Sequence, residues 1–265
     1  MTDVAADRGR GSPGDPILRA SDIRVSFGDV VALDALSIEL NRGEVVALIG
    51  PNGSGKSTFL RVAAGLLAPE RGSVTLAGQL VVEPDPRIGL VFQEARLLPW
   101  RSVAGNIAWP LELAGWDRVR RAARVAQVVR LVGLEGTEER RPSQLSGGQR
   151  QRAALARSLA LEPEVLLLDE PFSALDALTR ERLNLELLRL QADTGTSVLI
   201  VTHSIPEAIL LADRVAVLGS RPGRVVAEVR IDAPRPRSLA TLDAAIVSTA
   251  AAAIRSHLNP AEAAA

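Results

Sequence analysis

The segment Gly50-Pro51-Asn52-Gly53-Ser54-Gly55-Lys56-Ser57, followed by Thr58, fits the pattern G-x-x-x-x-G-K-[ST]. Glycines at this spacing let successive backbone N–H groups converge on phosphate oxygens, and a helix starting at the end of the loop adds the positive end of its dipole. Lys56 would reach the β- and γ-phosphates of a triphosphate, and the Ser57 hydroxyl would ligate Mg2+. Of 31 basic residues only Lys56 is a lysine. A compact ammonium on a flexible stem enters a crowded phosphate cradle that a broad guanidinium does not fit. Arginine would then serve wherever a solvated positive charge is enough.

Further along, Val165-Leu166-Leu167-Leu168 runs into Asp169-Glu170. Asp169 can hold the Mg2+ shell through water while Glu170 faces an attacking water; read alone, the same pair could be a charge pair at a helix start. Leu145-Ser146-Gly147-Gly148-Gln149 precedes a helical run from Arg152 to Leu161 and offers a hydroxyl and exposed N–H groups to an anion. A single nucleotide hardly needs two phosphate-binding helix starts, whereas two subunits sharing nucleotides would.

The elements that must position these groups follow from hydropathy patterning. Ile23 to Phe27 and Ile38 to Leu40 alternate as strands around the turn-prone Gly28-Asp29, which predicts an antiparallel β start. Val45 to Ile49 is a continuous aliphatic run before the glycine-rich loop, and Thr58 to Ala64 reads as the helix after it. The segment Val103 to Leu161 is mainly helical; Ala122, Val125, Val129 and Val132 mark one face, and Arg120, Arg124 and Gln127 the other, read as solvated. Val165 to Leu168, Ser197 to Val201 and Val215 to Leu218 are short buried strands alternating with helices, so the fold class is α/β with a mainly parallel sheet covered on both faces.

Taken together, the chain resembles the ATP-binding subunit of an ABC transporter over about residues 17–231. Walker A is Gly50 to Ser57, the Q-loop glutamine Gln93, the signature Leu145 to Gln149, and Walker B ends at Asp169-Glu170; the D-loop is Ser173-Ala174-Leu175-Asp176, and the switch histidine is His203. The resemblance implies a P-loop ATPase core with an antiparallel β subdomain and a helical subdomain at about residues 94–160, binding ATP and Mg2+. It also implies a head-to-tail dimer in which Ser146, Gly147 and Gly148 close on the γ-phosphate held by the partner. Glu170 would be the general base or water-orienting group, His203 would touch the γ-phosphate, and Gln93 would reach the metal or the water. In the family an aromatic ring before Walker A stacks on adenine, normally tyrosine; Phe27 stands there, with a core role as the alternative. Members commonly carry Asp after the histidine, where this chain has Ser204; Ser204 with Glu207 forms S-x-x-E, expected to cap the next helix as a capping box.

Phe92-Gln93-Glu94-Ala95-Arg96-Leu97-Leu98-Pro99-Trp100, Asp169 to Arg180, and Arg221-Pro222-Gly223-Arg224 narrow the resemblance to the nitrate, sulfonate and taurine branch of bacterial importers. That branch implies membrane permease subunits as partners and a separate periplasmic or extracellular binding protein. Trp100, Trp109 and Trp116 lie just beyond the Q-loop; internal packing and an interface role both fit them, and Trp100 is placed near the groove for the permease. A soluble ABC ATPase of translation, repair or assembly is the competing class; its usual paired cassettes, coiled-coil insertions and basic arms are missing.

Composition agrees. The 265 residues carry 31 basic and 31 acidic groups, which argues against a broad nucleic-acid footprint, and no cysteine, which excludes disulfides, thiolate zinc sites and a cysteine nucleophile. Residues 1–16 read as a flexible tail without a secretion signal and 232–265 as an extension too poor in large apolar residues for a domain. Ala244 to Ile254 is too short to span a membrane. The expected location is cytoplasmic, peripheral on the inner face of the membrane.

Overall fold

The computed structural model describes residues 16–173, 175–235, 237 and 242–258. Most of the predicted tail and Ala174 of the D-loop lie outside these residues.

The chain opens with β1 (Leu18–Phe27) and β2 (Val30–Leu40), antiparallel about a turn at Gly28-Asp29 and both longer than the alternating runs alone suggested. With β4 (Arg71–Leu76) and the two-residue β5 (Gln79–Leu80) they form a four-stranded sheet in the order β2-β1-β4-β5. The larger sheet runs β10-β9-β3-β8-β7-β6, built from β3 (Val45–Ile49), β6 (Ile88–Val91), β7 (Val165–Asp169), β8 (Ser197–Val201), β9 (Arg214–Leu218) and β10 (Val225–Arg230). All neighbours are parallel except the β9–β10 pair. The α/β class with a mainly parallel sheet and an antiparallel subdomain is therefore borne out.

β3, β7 and β8 are buried along their whole length because both faces of the sheet are covered. Side chains alternate between two apolar layers. Val46, Leu48, Leu167 and Leu199 pack with the antiparallel sheet and with Phe59 and Leu60 of α1 (Lys56–Ala63). Ala47, Ile49, Leu166, Leu168, Val198 and Ile200 face the helical layer. That layer contains α2 (Val103–Leu113), α3 (Arg118–Leu131), α4 (Gly147–Leu159), α5 (Ala177–Thr194) and α6 (Ile205–Leu211). The last helix, α7 (Ala244–Leu258), buries Ala250, Ala251 and Ile254 against the same layer, with Val247 and Leu258 partly buried beside them. Arg235 and the buried Arg237 tie the preceding segment to Asp213.

Two expectations need correction. Arg124 is not part of a solvated face: its guanidinium donates to the carbonyls of Ala160 (2.9 Å) and Leu159 (2.7 Å), capping the end of α4. A helix leaves its last carbonyls unpaired, and a fork of N–H donors on the neighbouring helix satisfies two at once. The Ser204–Glu207 capping box is only half formed. Ser204 Oγ accepts from the Glu207 N–H (3.4 Å), but the Glu207 carboxylate takes the hydroxyl of buried Thr202, whose oxygen in turn accepts from the Ser204 N–H (3.0 Å). A threonine hydroxyl is inserted between the two ends of the box. No helix among the described residues is long and apolar enough to cross a membrane.

Candidate functional site

The carboxyl ends of four adjacent parallel strands converge on one cavity of about 720 Å3, the place where open α/β sheets bind ligands. β3 delivers the phosphate loop, β6 leads to Gln93, β7 ends in Asp169-Glu170, and β8 leads to His203. Lys56, Ser57, Gln93, Glu170 and His203 all line the cavity, with Phe27 and Val30 forming its outer wall.

The phosphate loop is held open by its own backbone. Gly55 sits at φ 87, a left-handed conformation that disfavours a side chain, and a Cβ there would press on Leu33 and the Ala32 carbonyl of β2. Lys56 is buried, and its Nζ donates to the carbonyls of Gly50 (2.8 Å) and Pro51 (2.9 Å). Two of its three protons are thus used to arch the loop, leaving one for a ligand. Burial holds the ammonium below the ordinary lysine range, against the pull of the Glu170 and Asp169 carboxylates. A polyphosphate would oppose that shift, because a neighbouring negative charge favours the protonated form.

Ser57 Oγ donates to Asp169 Oδ1 at 3.0 Å. Burial raises the Asp169 carboxyl above its ordinary range although the serine bond opposes it. A hydroxyl, a carboxylate and the nearby carboxamide of Gln93 are hard oxygen donors, which suits Mg2+ better than a softer metal. No cluster of three or more His, Cys, Asp or Glu that could cage a metal exists among the described residues. The donors therefore fit an ion that takes most of its shell from water and substrate phosphates.

Glu170 sits at φ 45, an unfavourable backbone state for a glutamate, fixed by its N–H donating to Val201 O (3.0 Å) and by the Ser173 N–H and hydroxyl donating to its carbonyl. This twist brings its side chain to both flanking groups: Oε2 lies 3.4 Å from Gln93 Nε2 and 3.3 Å from His203 Nδ1. The histidine is more than half exposed (57%) and the glutamate is not (18%), so the imidazole forms the open side of the site.

Phe27 is 53% exposed, which removes it from the core. Its ring is free to serve as a stacking surface at the cavity mouth.

The signature lies elsewhere on the chain. Ser146 caps α4, its Oγ accepting from the Gln149 N–H (3.2 Å) while Gln149 Oε1 accepts from the Ser146 N–H (2.9 Å). None of Leu145 to Gln149 lines the Lys56 cavity. Gly148 is buried beside Leu175 and Thr179, whereas Ser146 and Gly147 are exposed. In the D-loop Asp176 accepts from the Thr179 N–H (2.9 Å) and so caps α5.

The segment from Phe92 to Ser102, which carries Gln93, is stitched to the helical layer at three points. Gln151 Nε2 donates to Phe92 O (3.2 Å), Arg157 donates to Arg96 O (2.8 Å), and the fully buried Asn106 closes the turn that carries Trp100. Asn106 accepts from the Leu98 N–H (2.7 Å) and donates to the carbonyls of Leu98, Arg101 and Ser102. No sequence pattern singled out this asparagine; a polar residue between Val103 and Ile107 was the available signal. Replacing it by leucine should cost about 1–3 kcal/mol through unpaired buried carbonyls, read as a lower midpoint in urea; an unchanged midpoint would show that the turn holds without it.

Trp100 is 69% exposed at the tip of this turn, while Arg101 stacks on Trp109 and Arg120 on the partly buried Trp116. Internal packing therefore describes Trp116 and not Trp100.

Residues 33–173 match the family model described as "ABC transporter". The "Taurine import ATP-binding protein TauB" of Shigella boydii serotype 4 is 44% identical over 219 residues, covering 83% of this chain and 86% of that protein. Its counterpart in Escherichia coli K12 is 43% identical over the same shares. Among solved structures, cbiO1 of Clostridium perfringens, described as part of the ABC transporter complex cbiONQ, superposes with a TM-score of 0.74 at 29% identity, covering 82% of this chain and 89% of that one. The ABC transporter cassette MJ0796, solved as a dimer, gives 0.73 at 31%, covering 82% and 100%. With the phosphate loop, the two carboxylates and the histidine gathered at the strand ends, the chain belongs to the ABC transporter family and is an ATP-binding ATP hydrolase.

Proposed function

We propose that the chain is the ATP-hydrolysing subunit of an importer for a small anion such as nitrate, an alkanesulfonate or taurine. Two copies would pair head to tail, each Lys56 cavity closed by the partner's Ser146, Gly147 and Gly148, with Leu145 and Gln149 shaping that helix start and Ser173 to Asp176 at the dimer seam. The observation that carries the coupling is the stitched segment from Gln93 to Trp100: one end contacts Glu170, the other offers an exposed tryptophan on the helical subdomain of residues 94–160. A change at the γ-phosphate would shift Gln93 and, through Gln151, Arg157 and Asn106, the surface that meets the permease.

Within the site, Glu170 would polarise the attacking water, His203 and Lys56 would face the γ-phosphate, Phe27 would stack on adenine, and Ser57, Asp169 and Gln93 would surround Mg2+. The metal would neutralise charge on the β- and γ-phosphates. Catalysis on these terms is positioning and charge stabilisation. The relatives named for taurine import support the substrate class, since their identity covers 83% of the chain. The chain would sit on the cytoplasmic face of the membrane, held there by the permease and supplied by a binding protein on the other side.

Purification of the tagged chain from detergent-solubilised membranes of its own cells tests this directly. An integral membrane permease should accompany it, and ATP turnover of the complex should rise when a binding protein loaded with one of these anions is added. Recovery of the chain only from the soluble fraction, free of any membrane protein, would overturn the importer reading.

A further inference from the structure

Arg221-Pro222-Gly223-Arg224 marks the importer branch in the sequence, yet none of the functions above uses it. In the structure it forms the turn between β9 and β10, closed by the Gly219 N–H donating to the Arg224 carbonyl (3.0 Å). The turn is wedged between β2 and the outer wall of the phosphate loop. The Gly223 N–H donates to Ala32 O (2.9 Å), Gly223 O accepts from the Asp34 N–H (3.1 Å), and Arg224 reaches the Asp34 carboxylate (3.4 Å). Any side chain at Gly223 would overlap the Ser54 carbonyl, so the two backbones touch.

Arg221 completes the contact. Its Nε donates to Gly53 O at 3.0 Å, and its Nη2 would lie only 2.8 Å from a Cβ on Gly53. The guanidinium is exposed and lines the same cavity as Lys56 and Phe27. Among the described residues its Nη atoms have no hydrogen-bond partner, so the charge faces the cavity rim without a carboxylate to neutralise it.

We propose that Arg221 is a nucleotide-positioning residue that presets the phosphate loop for the polyphosphate of a nucleoside triphosphate. The peptide group is planar, so anchoring Gly53 O outward fixes the direction of the Ser54 N–H. That N–H donates to Pro51 O (3.2 Å), the same carbonyl that Lys56 Nζ holds at 2.9 Å. Arg221, Gly53, Ser54, Pro51 and Lys56 thus form one connected set, and the cradle keeps its shape before the ligand arrives. Preorganisation of this kind lowers the ordering cost of binding and appears as affinity. The Nη end adds a positive charge at the cavity mouth. Arg221 acts through the loop on binding and has no part in the attack on phosphorus.

The inference rests on the nucleotide reading of the site, and ATP titration of wild type, Arg221→Ala and Arg221→Lys separates the two. Arg221→Ala should raise the KM for ATP about tenfold, the scale of one charge-assisted hydrogen bond. Its kcat should stay within about twofold, and its melting temperature without nucleotide should match wild type, because the side chain is exposed. Arg221→Lys keeps the charge but has no Nε–H at that position, and should stay closer to alanine than to wild type. An unchanged KM in Arg221→Ala, a loss confined to kcat, or full rescue by lysine would each overturn the positioning role. A wild-type chain that binds no ATP would overturn the nucleotide reading and this proposal with it.

Discussion

Glu170→Gln is expected to lower ATP turnover by about 10^2- to 10^4-fold, the usual contribution of a positioned general base, while ATP binding stays near the wild-type level. The amide has the same shape as the carboxylate and would keep its contacts to Gln93 and His203, now at 3.4 and 3.3 Å. What it loses is the negative charge that, on the proposed reading, would draw a proton from, or orient, the attacking water. The backbone twist at φ 45 that presents this side chain does not depend on its charge, since it is fixed by Val201 O and by Ser173. Turnover measured as phosphate release, beside binding measured with a fluorescent ATP analogue, checks both halves. Wild-type turnover in the variant would remove Glu170 from the reaction.

Lys56→Arg is expected to reduce turnover to background, a fall of at least about a hundredfold, the scale of losing one preorganised donor to developing negative charge. The physical reason is space as much as charge. Lys56 is buried at 6% exposure, and its ammonium fits between two carbonyl oxygens of the loop it would share with phosphate. A guanidinium is wider and planar, so it must either displace the loop or withdraw from the cradle. Phosphate release from the purified variant is the measurement. Retained turnover would mean that any cation at this position suffices.

Much of this site is legible in the sequence. The phosphate loop, the apolar strand ending in Asp169-Glu170, and the helix start at Ser146 announce themselves because their chemistry depends on residues close together in the chain. Phe27 is ambiguous in the sequence, since an aromatic at a strand end packs inward or faces a ligand with equal ease; its exposure sets aside the core role. The arginines were the least legible part. A preference for arginine over lysine reads as a matter of solvated charge, yet Arg124, Arg157, Arg221 and Arg237 donate to backbone carbonyls of other segments, Arg237 to Ala212 O. Such carbonyls lie far away in sequence, 168 positions for Arg221 and Gly53, and belong to every residue type, so no pattern reveals them. A planar fork holds its N–H donors apart in a fixed geometry, as Arg124 does across Leu159 O and Ala160 O, whereas Lys56 bonds two carbonyls of its own loop from a single nitrogen. The lone lysine is therefore one side of a division of labour, with the point charge kept for the phosphate cradle and the forks for loops and helix ends. The stitched turn around Asn106 was hidden for the same reason: its partners are main-chain atoms.

The proposed composite site, in which one chain's Lys56 cavity would be closed by another chain's Ser146 and Gly147, is tested most directly by light scattering on the Glu170→Gln protein with and without ATP. The chain should be monomeric without nucleotide and dimeric with ATP, holding two ATP per dimer, and a bulky residue at the exposed Gly147 should abolish the dimer while each chain still binds ATP. A protein that stays monomeric at saturating ATP, or that dimerises equally well with Gly147 blocked, would contradict it.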